Sequence, residues 1–167
     1  MPVYRVLVLF EDSDEAVVIK DKTLLKAVPT ISSWLWLNSI RWEQTGIILE
    51  KPIKLEFPRA AGELVLANVL SHREPPCLHH PKLEDYPELV GKNTTELKDI
   101  IECASFLGCE IFVKCVGFVI ADKIRDWSVE DITRYFGLRL SSSQHEFIRA
   151  GMLNPRRRLR YGRHRNH

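Results

Sequence analysis

Residues 100–138 read I-I-E-C-A-S-F-L-G-C-E-I-F-V-K-C-V-G-F-V-I-A-D-K-I-R-D-W-S-V-E-D-I-T-R-Y-F-G-L, and their pattern says more about fold and role than the rest of the chain together. Between Ile111 and Ala121 only Lys114 is charged, which predicts a helix apolar almost all round and destined for burial. Those eleven residues are too few to cross a bilayer, which takes about 20. After Arg125-Asp126-Trp127, Ser128 with Asp131 three residues on is a helix start signal ahead of Ile132, Tyr135, Phe136 and Leu138. Gly137 is placed to end or bend that short helix. A buried helix followed by a short, half-apolar one suits a platform for another chain better than a catalytic pocket.

With 167 residues the chain is one domain, or one domain with a small appendage. A 45% hydrophobic content supports a core, and 28% charged is ordinary for a soluble protein. The start, Met-Pro-Val-Tyr-Arg-Val, lacks the basic region and apolar stretch of a secretion signal. Asn93-Thr94-Thr95 is therefore not expected to be glycosylated. Cys77, Cys103, Cys109 and Cys115 have no C-x-x-C spacing and read as reduced, buried thiols of a cytoplasmic or nuclear protein. The net charge of +2 hides a split: after Pro155 there are six arginines and no acid, leaving a body of net −4.

Outward from the central stretch, Val3–Phe10 and Ala16–Ile19 read as two strands of a hairpin around the turn Glu11–Asp14. Asp21–Val28 suits a short helix stopped by Pro29, and Thr30–Ser33 opens another bearing Trp34, Leu35 and Leu37. Residues 43–51 read as a loop, and Pro52–Phe57 alternates like a half-buried third strand. Ala60–Leu70 is amphipathic and helical. Residues 71–92, with Pro75, Pro76, Pro81 and Pro87, form the longest irregular stretch and are expected to be a mobile surface loop. Asn93, answered by Glu96, caps a helix running to about Leu107, and Gly108 separates it from the buried helix. Ser143 and Glu146 make a further capping pair before Phe147, Ile148, Met152 and Leu153.

This order, strand–strand–helix–helix–strand and then helices only, resembles the BTB/POZ fold. Ala104-Ser-Phe-Leu107, the ungapped run to Ile124, and Trp127–Leu138 look like the S-phase kinase-associated adaptor family of SCF ubiquitin ligases. The pattern of that family is "A-N-Y-L", a buried helix, then "T-P-E-E-I-R-K-x-F-x-I". Upstream, Val28-Pro-Thr-Ile-Ser-Ser-Trp-Leu35 is similar to its "S-x-T-I-x-x-M-L". The resemblance spans roughly residues 4–153. It implies an adaptor that links a cullin scaffold, gripped by the BTB part, to an F-box protein gripped by the last helices. Phe106 matches the aromatic of the cullin-facing element, and Ser105 replaces the asparagine beside it. Ile124, Ile132, Phe136 and Leu138 match apolar positions of the F-box platform. The chain departs from the pattern after Leu138, where the family has an acidic helix ending in a tryptophan and this chain has Ser141–Arg149 and an arginine tail.

The expected molecule is thus α/β: a BTB/POZ-like core over residues 1–126, with a small three-stranded sheet packed with helices. Two C-terminal helices follow in an F-box-binding extension, 127–154, and then a basic, disordered tail, 155–167. Cys77, His79 and His80 supply only three candidate zinc ligands at no common finger spacing, so no metal or other cofactor is expected. Asp12, Asp14 and Glu15 are turn residues, and no phosphate loop, G-x-S-x-G or H-E-x-x-H occurs, so no enzyme is expected. The expected partners are an F-box protein and a cullin, the latter bound weakly or not at all, with self-association open because BTB folds often self-associate. A membrane is not expected, nor nucleic acid, although the arginine tail keeps a nuclear nucleic-acid binder among the rivals. An elongin-C-like adaptor and an assembly protein that has lost its cullin are the others. Trp34 and Trp36, two residues apart, point to different helix faces, so at least one is exposed or covered by another chain.

Overall fold

Strand β1, Val3–Phe10, is paired along both edges and organises the first part of the molecule. The computed structural model describes residues 2–72, 82–139, 141–144 and 146. Its contacts divide into two units, residues 1–123 and 124–167. In β1 the branched and aromatic side chains alternate, so Val6, Val8 and Phe10 are buried while Val3 and Arg5 face outward. Strand β2, Val17–Ile19, runs antiparallel to it with Val8 opposite Val17. On the other edge, β3 (Gly46–Ile48) and β4 (Ile53–Leu55) both run parallel to β1, with Val3 opposite Gly46 and Val8 opposite Ile53.

The sheet therefore has four strands in three lanes, where three strands were expected. Val8 pairs with β2 on one side and β4 on the other, which puts β4 in the same lane as β3. Pro52, which lacks a backbone donor, lies in the interruption between them. Residues 43–51, expected as loop, hold most of the short helix α3 (Trp42–Thr45) and all of β3. Tertiary contacts decide this: Trp42 is fully buried, its ring edge-on to Tyr4, and the Tyr4 hydroxyl donates to the Glu43 carbonyl at 2.9 Å. Gly46 adopts φ +83°, with Val3 backbone where a Cβ would stand. That close approach is what lets the parallel pairing begin.

Helix α1, Lys22–Ala27, starts at Asp21, whose carboxylate accepts from Thr23 N at 2.7 Å. Pro29 not only ends α1 but is the first residue of α2, Pro29–Asn38. Helix α4, Arg59–Asn68, packs Gly62 against the Phe10 ring. Residues 82–90, inside the expected surface loop, are ordered as a 3-10 turn, Leu83–Asp85, and helix α5, Pro87–Val90. Two anchors hold them, Tyr86 and Leu89, both buried. The sequence hid this because prolines dominate the stretch, yet Pro87 occupies a first helical position where it costs nothing.

Helices α6, Thr94–Phe106, and α7, Glu110–Lys123, form the most extensively packed helix pair. Asn93 and Glu96 make the expected reciprocal cap of α6, each side chain accepting the other's backbone N–H at 2.9 Å. Gly108 takes φ +76° between α6 and α7. Helix α7 is not buried all round: Phe112, Cys115, Val116, Val119 and Ile120 are, while Ile111 and Lys114 face solvent. Apolar content alone overstated the burial, because among the described residues the helix has packed neighbours on one stripe only. Among the described residues no helix is long and apolar enough to cross a membrane.

In the second unit, α8 spans Val129–Phe136, as the start and stop signals required. Residues 142–144 are helical, but their reciprocal cap is Ser141 with Gln144, two positions before the expected Ser143 and Glu146. Glutamine serves at the third helical position as well as glutamate does. Phe147, Ile148, Met152, Leu153, the arginine tail and the Cys77–His80 stretch lie outside the described residues.

Gly62→Ala should destabilise the protein by about 1–3 kcal/mol, because a methyl at this site runs into the Phe10 ring, itself buried and unable to swing away. Urea unfolding followed by tryptophan fluorescence reads the loss. An unchanged midpoint would mean that the α4–β1 contact is loose.

Candidate functional site

The candidate site residues fall on two surfaces, one in each unit. In the second, Ser128 caps α8: its hydroxyl accepts from Asp131 N at 3.1 Å and donates to Asp131 Oδ2 at 2.7 Å. At the other end Gly137 takes φ +65°, and its N–H and that of Leu138 bond back to Arg134 and Thr133 carbonyls. The helix is thus fixed at both ends within eight residues. Only Val129 is buried in it, Ile132 is half-buried, and Phe136 and Leu138 are 44% and 57% exposed. Ile124, half-buried, lies in the turn after α7, where its carbonyl accepts from Trp127 N at 3.0 Å. Phe136 meets the Tyr135 ring edge-on at 4.9 Å. Apolar side chains held out by a helix with both ends capped form a rigid hydrophobic surface. Such a surface is suited to burial against another chain.

In the first unit, Ser105 and Phe106 sit at the C-terminal end of α6. Both are exposed, Phe106 at 54%. The Thr30 hydroxyl donates to the Phe106 carbonyl at 2.7 Å, and the Phe106 ring leans on Phe57 at 5.4 Å. The side chain is therefore braced from behind while its outer edge meets solvent. Ser105 and Phe106 join Ile101, Glu102 and Val113 in lining an open groove of about 480 Å³. The structure brings the two expected residues together and adds Ile101 and Val113, which helix periodicity alone did not single out.

Trp34 and Trp36 are 41% and 54% exposed, with Leu37 and Ile40 further out still. A signal was present in the sequence: residues 29–40 contain no charged side chain, so whichever face of α2 turned outward had to be uncharged. Asp12 acts structurally, its carboxylate accepting from Arg59 N at 2.6 Å beside the Arg59–Glu63 ion pair. Among the described residues no cluster of three or more His, Cys, Asp or Glu is arranged to hold a metal.

The described cysteines, Cys103, Cys109 and Cys115, are withdrawn from solvent. Burial pushes the Cys103 thiol up to about 12 and Cys109 up to about 11, and it raises Cys115 as well. Burial likewise holds the Tyr86 hydroxyl up at about 12, next to Cys115. His72 closes this region, its Nε2 2.7 Å from Glu88 Oε1 and its ring stacked on Tyr86. Compared with the known protein families and with curated proteins, the chain matches none.

Because only the thiolate attacks, raised thiols react slowly. Cys103, Cys109 and Cys115 in the native protein at pH 8 should be alkylated by maleimide at least about 100-fold more slowly than in urea. Peptide mass spectrometry resolves each site. Fast native labelling of Cys103 would show that α6 opens readily.

Proposed function

We propose that this protein is a non-enzymatic adaptor with a BTB/POZ-type core, which joins a helical F-box-like partner to a cullin scaffold in a ubiquitin ligase. One observation carries it: of the residues that the resemblance assigns to partner contact, Phe136 stands exposed at the end of a short helix capped at both ends, and Leu138 stands exposed just beyond the Gly137 cap. Support for the fold comes from the element order, which runs strand, strand, three helices, strand, strand before the helical half and so contains the expected strand, strand, helix, helix, strand. The short helix α3 and strand β3 are the additions to the expected plan, and β4 is its third strand.

In this scheme Ile124, Ile132, Phe136 and Leu138 bury against the partner helix, which stabilises the complex by about 25 cal/mol per Å² before the costs of association. The α6 groove with Ser105 and Phe106 takes the cullin. Phe106 supplies the aromatic anchor there, while Ser105 offers one hydroxyl where an asparagine would offer a donor and an acceptor. That substitution favours a second reading, an adaptor-derived assembly protein whose cullin contact is weak or lost. An adaptor of this kind works in cytoplasm and nucleus, needs no cofactor and touches neither membrane nor nucleic acid.

Phe136→Asp should abolish capture of the F-box-like partner, a loss of about 2 kcal/mol or more, and leave the first unit folded. Pull-down and circular dichroism on one preparation test it. Full recovery of partner would remove α8 from the interface, and global unfolding would make Phe136 a core residue.

Ser105→Asn should tighten cullin binding relative to the wild type, as read by titration calorimetry. Tight binding by the wild type itself would contradict the weakened contact. No detectable binding by either form would favour the assembly protein.

A further inference from the structure

We propose that Trp127 and Tyr135 form a second, specificity-determining pocket beside the Phe136 anchor, which receives one large apolar side chain of the partner helix. The pocket rests on the adaptor reading of α8, but on residues that the resemblance leaves unassigned. Trp127 precedes the family pattern quoted above, and Tyr135 falls on one of its unspecified positions. The two rings meet edge to face, with centroids 5.6 Å apart and planes at 86°. With Asp131 and Arg134 they border an open cavity of about 350 Å³, room enough for a leucine, methionine or phenylalanine side chain. Tyr135 also meets Phe136 edge-on, so the pocket and the anchor share a wall.

The charges at the rim decide what enters. Two rings set at right angles beside a carboxylate would suit an alkylammonium group. Here, however, both Asp131 oxygens are engaged: Arg134 donates to Oδ1 at 2.9 Å and the Ser128 hydroxyl to Oδ2 at 2.7 Å. An entering cation has to share Asp131 with Arg134 and Ser128, and it meets the Arg134 charge. An entering carboxylate meets Asp131 and the negative ring faces, and has to compete with Asp131 for Arg134. Burying either charge there is costly, whereas an apolar side chain gains contact with both rings. Residues 131, 134 and 135 share one helix face, and the Tyr135 ring touches the Phe136 ring, so a partner segment that reaches Phe136 passes beside the pocket.

The test uses the full chain and one purified F-box domain that the wild type binds, measured by titration calorimetry. Trp127→Ala should weaken binding about tenfold or more, with Trp127→Phe recovering most of it. Alanine substitutions along the domain's docking helix should reveal one apolar residue whose effect vanishes in the Trp127→Ala background. Binding within twofold of wild type for Trp127→Ala, while Phe136→Asp abolishes it, overturns the pocket and leaves the platform standing. Coupling of Trp127 to a lysine or arginine of the domain overturns the apolar occupant. Full binding by Phe136→Asp, or no F-box domain bound by the wild type, removes the adaptor reading and the pocket with it. Circular dichroism distinguishes a lost wall from a lost helix: Trp127→Ala that unfolds α8, with Trp127→Phe folded yet equally weak, also counts against the pocket.

Discussion

β1 bonds along both of its edges, and the first unit depends on that arrangement. Its inward residues Val6, Val8 and Phe10 are buried, so their backbone groups have to find partners within the chain. β2 supplies them on one side and the broken lane β3–β4 on the other. The interruption between β3 and β4 does not free the strand, since Leu49 N bonds the Arg5 carbonyl at 2.9 Å and Glu11 N bonds the Phe57 carbonyl beyond β4 at 3.2 Å. Once β1 is fixed, Phe10 projects onto Gly62, and α4 can approach only because no side chain stands there. Helix α4 in turn packs on α6, and α6 on α7, which passes the position of β1 to the groove at Phe106.

The two candidate surfaces obtain rigidity by different means. Phe106 is held by long-range contacts, a hydroxyl from Thr30 on its carbonyl and the Phe57 ring on its own. Helix α8 is held locally, by Ser128 at its start and the left-handed Gly137 at its end. A local device suits a short helix with one buried residue, because tertiary packing contributes little there and capping supplies about 1 kcal/mol. In both places an exposed apolar side chain is braced by its own chain, which would lower the entropic cost of burying it against another surface.

Much of this was legible from the sequence where a local rule governs. The caps at Asn93 and Ser128, the stop at Gly137 and the outward turn of a tryptophan in α2 follow from hydrogen-bonding chemistry and helical period. Contacts between distant residues were not legible. Trp42 makes residues 42–48 ordered by burying beside Tyr4, and Tyr86 and Leu89 order a proline-rich stretch by reaching the core. Neither partner is within reach of a sequence window. At the candidate site, Phe136 and Leu138 could be named, but not Trp127 with Tyr135, since the edge-to-face contact between them depends on how the chain turns into α8.

The sequence by itself determined that this is a mixed α/β chain with a helical second half, the places where several helices begin and end, and an uncharged α2. Each of these depends on residues within about four positions of one another, the range over which backbone caps and helical faces act. Only the tertiary structure decided that the sheet has a broken parallel lane, that α7 keeps one side in solvent, and which apolar residues of α6 and α8 remain outside the core. Hydrophobic residues carry the same composition whether buried or exposed. Burial is settled by which other surface arrives to cover them, and that is a property of the whole packed chain.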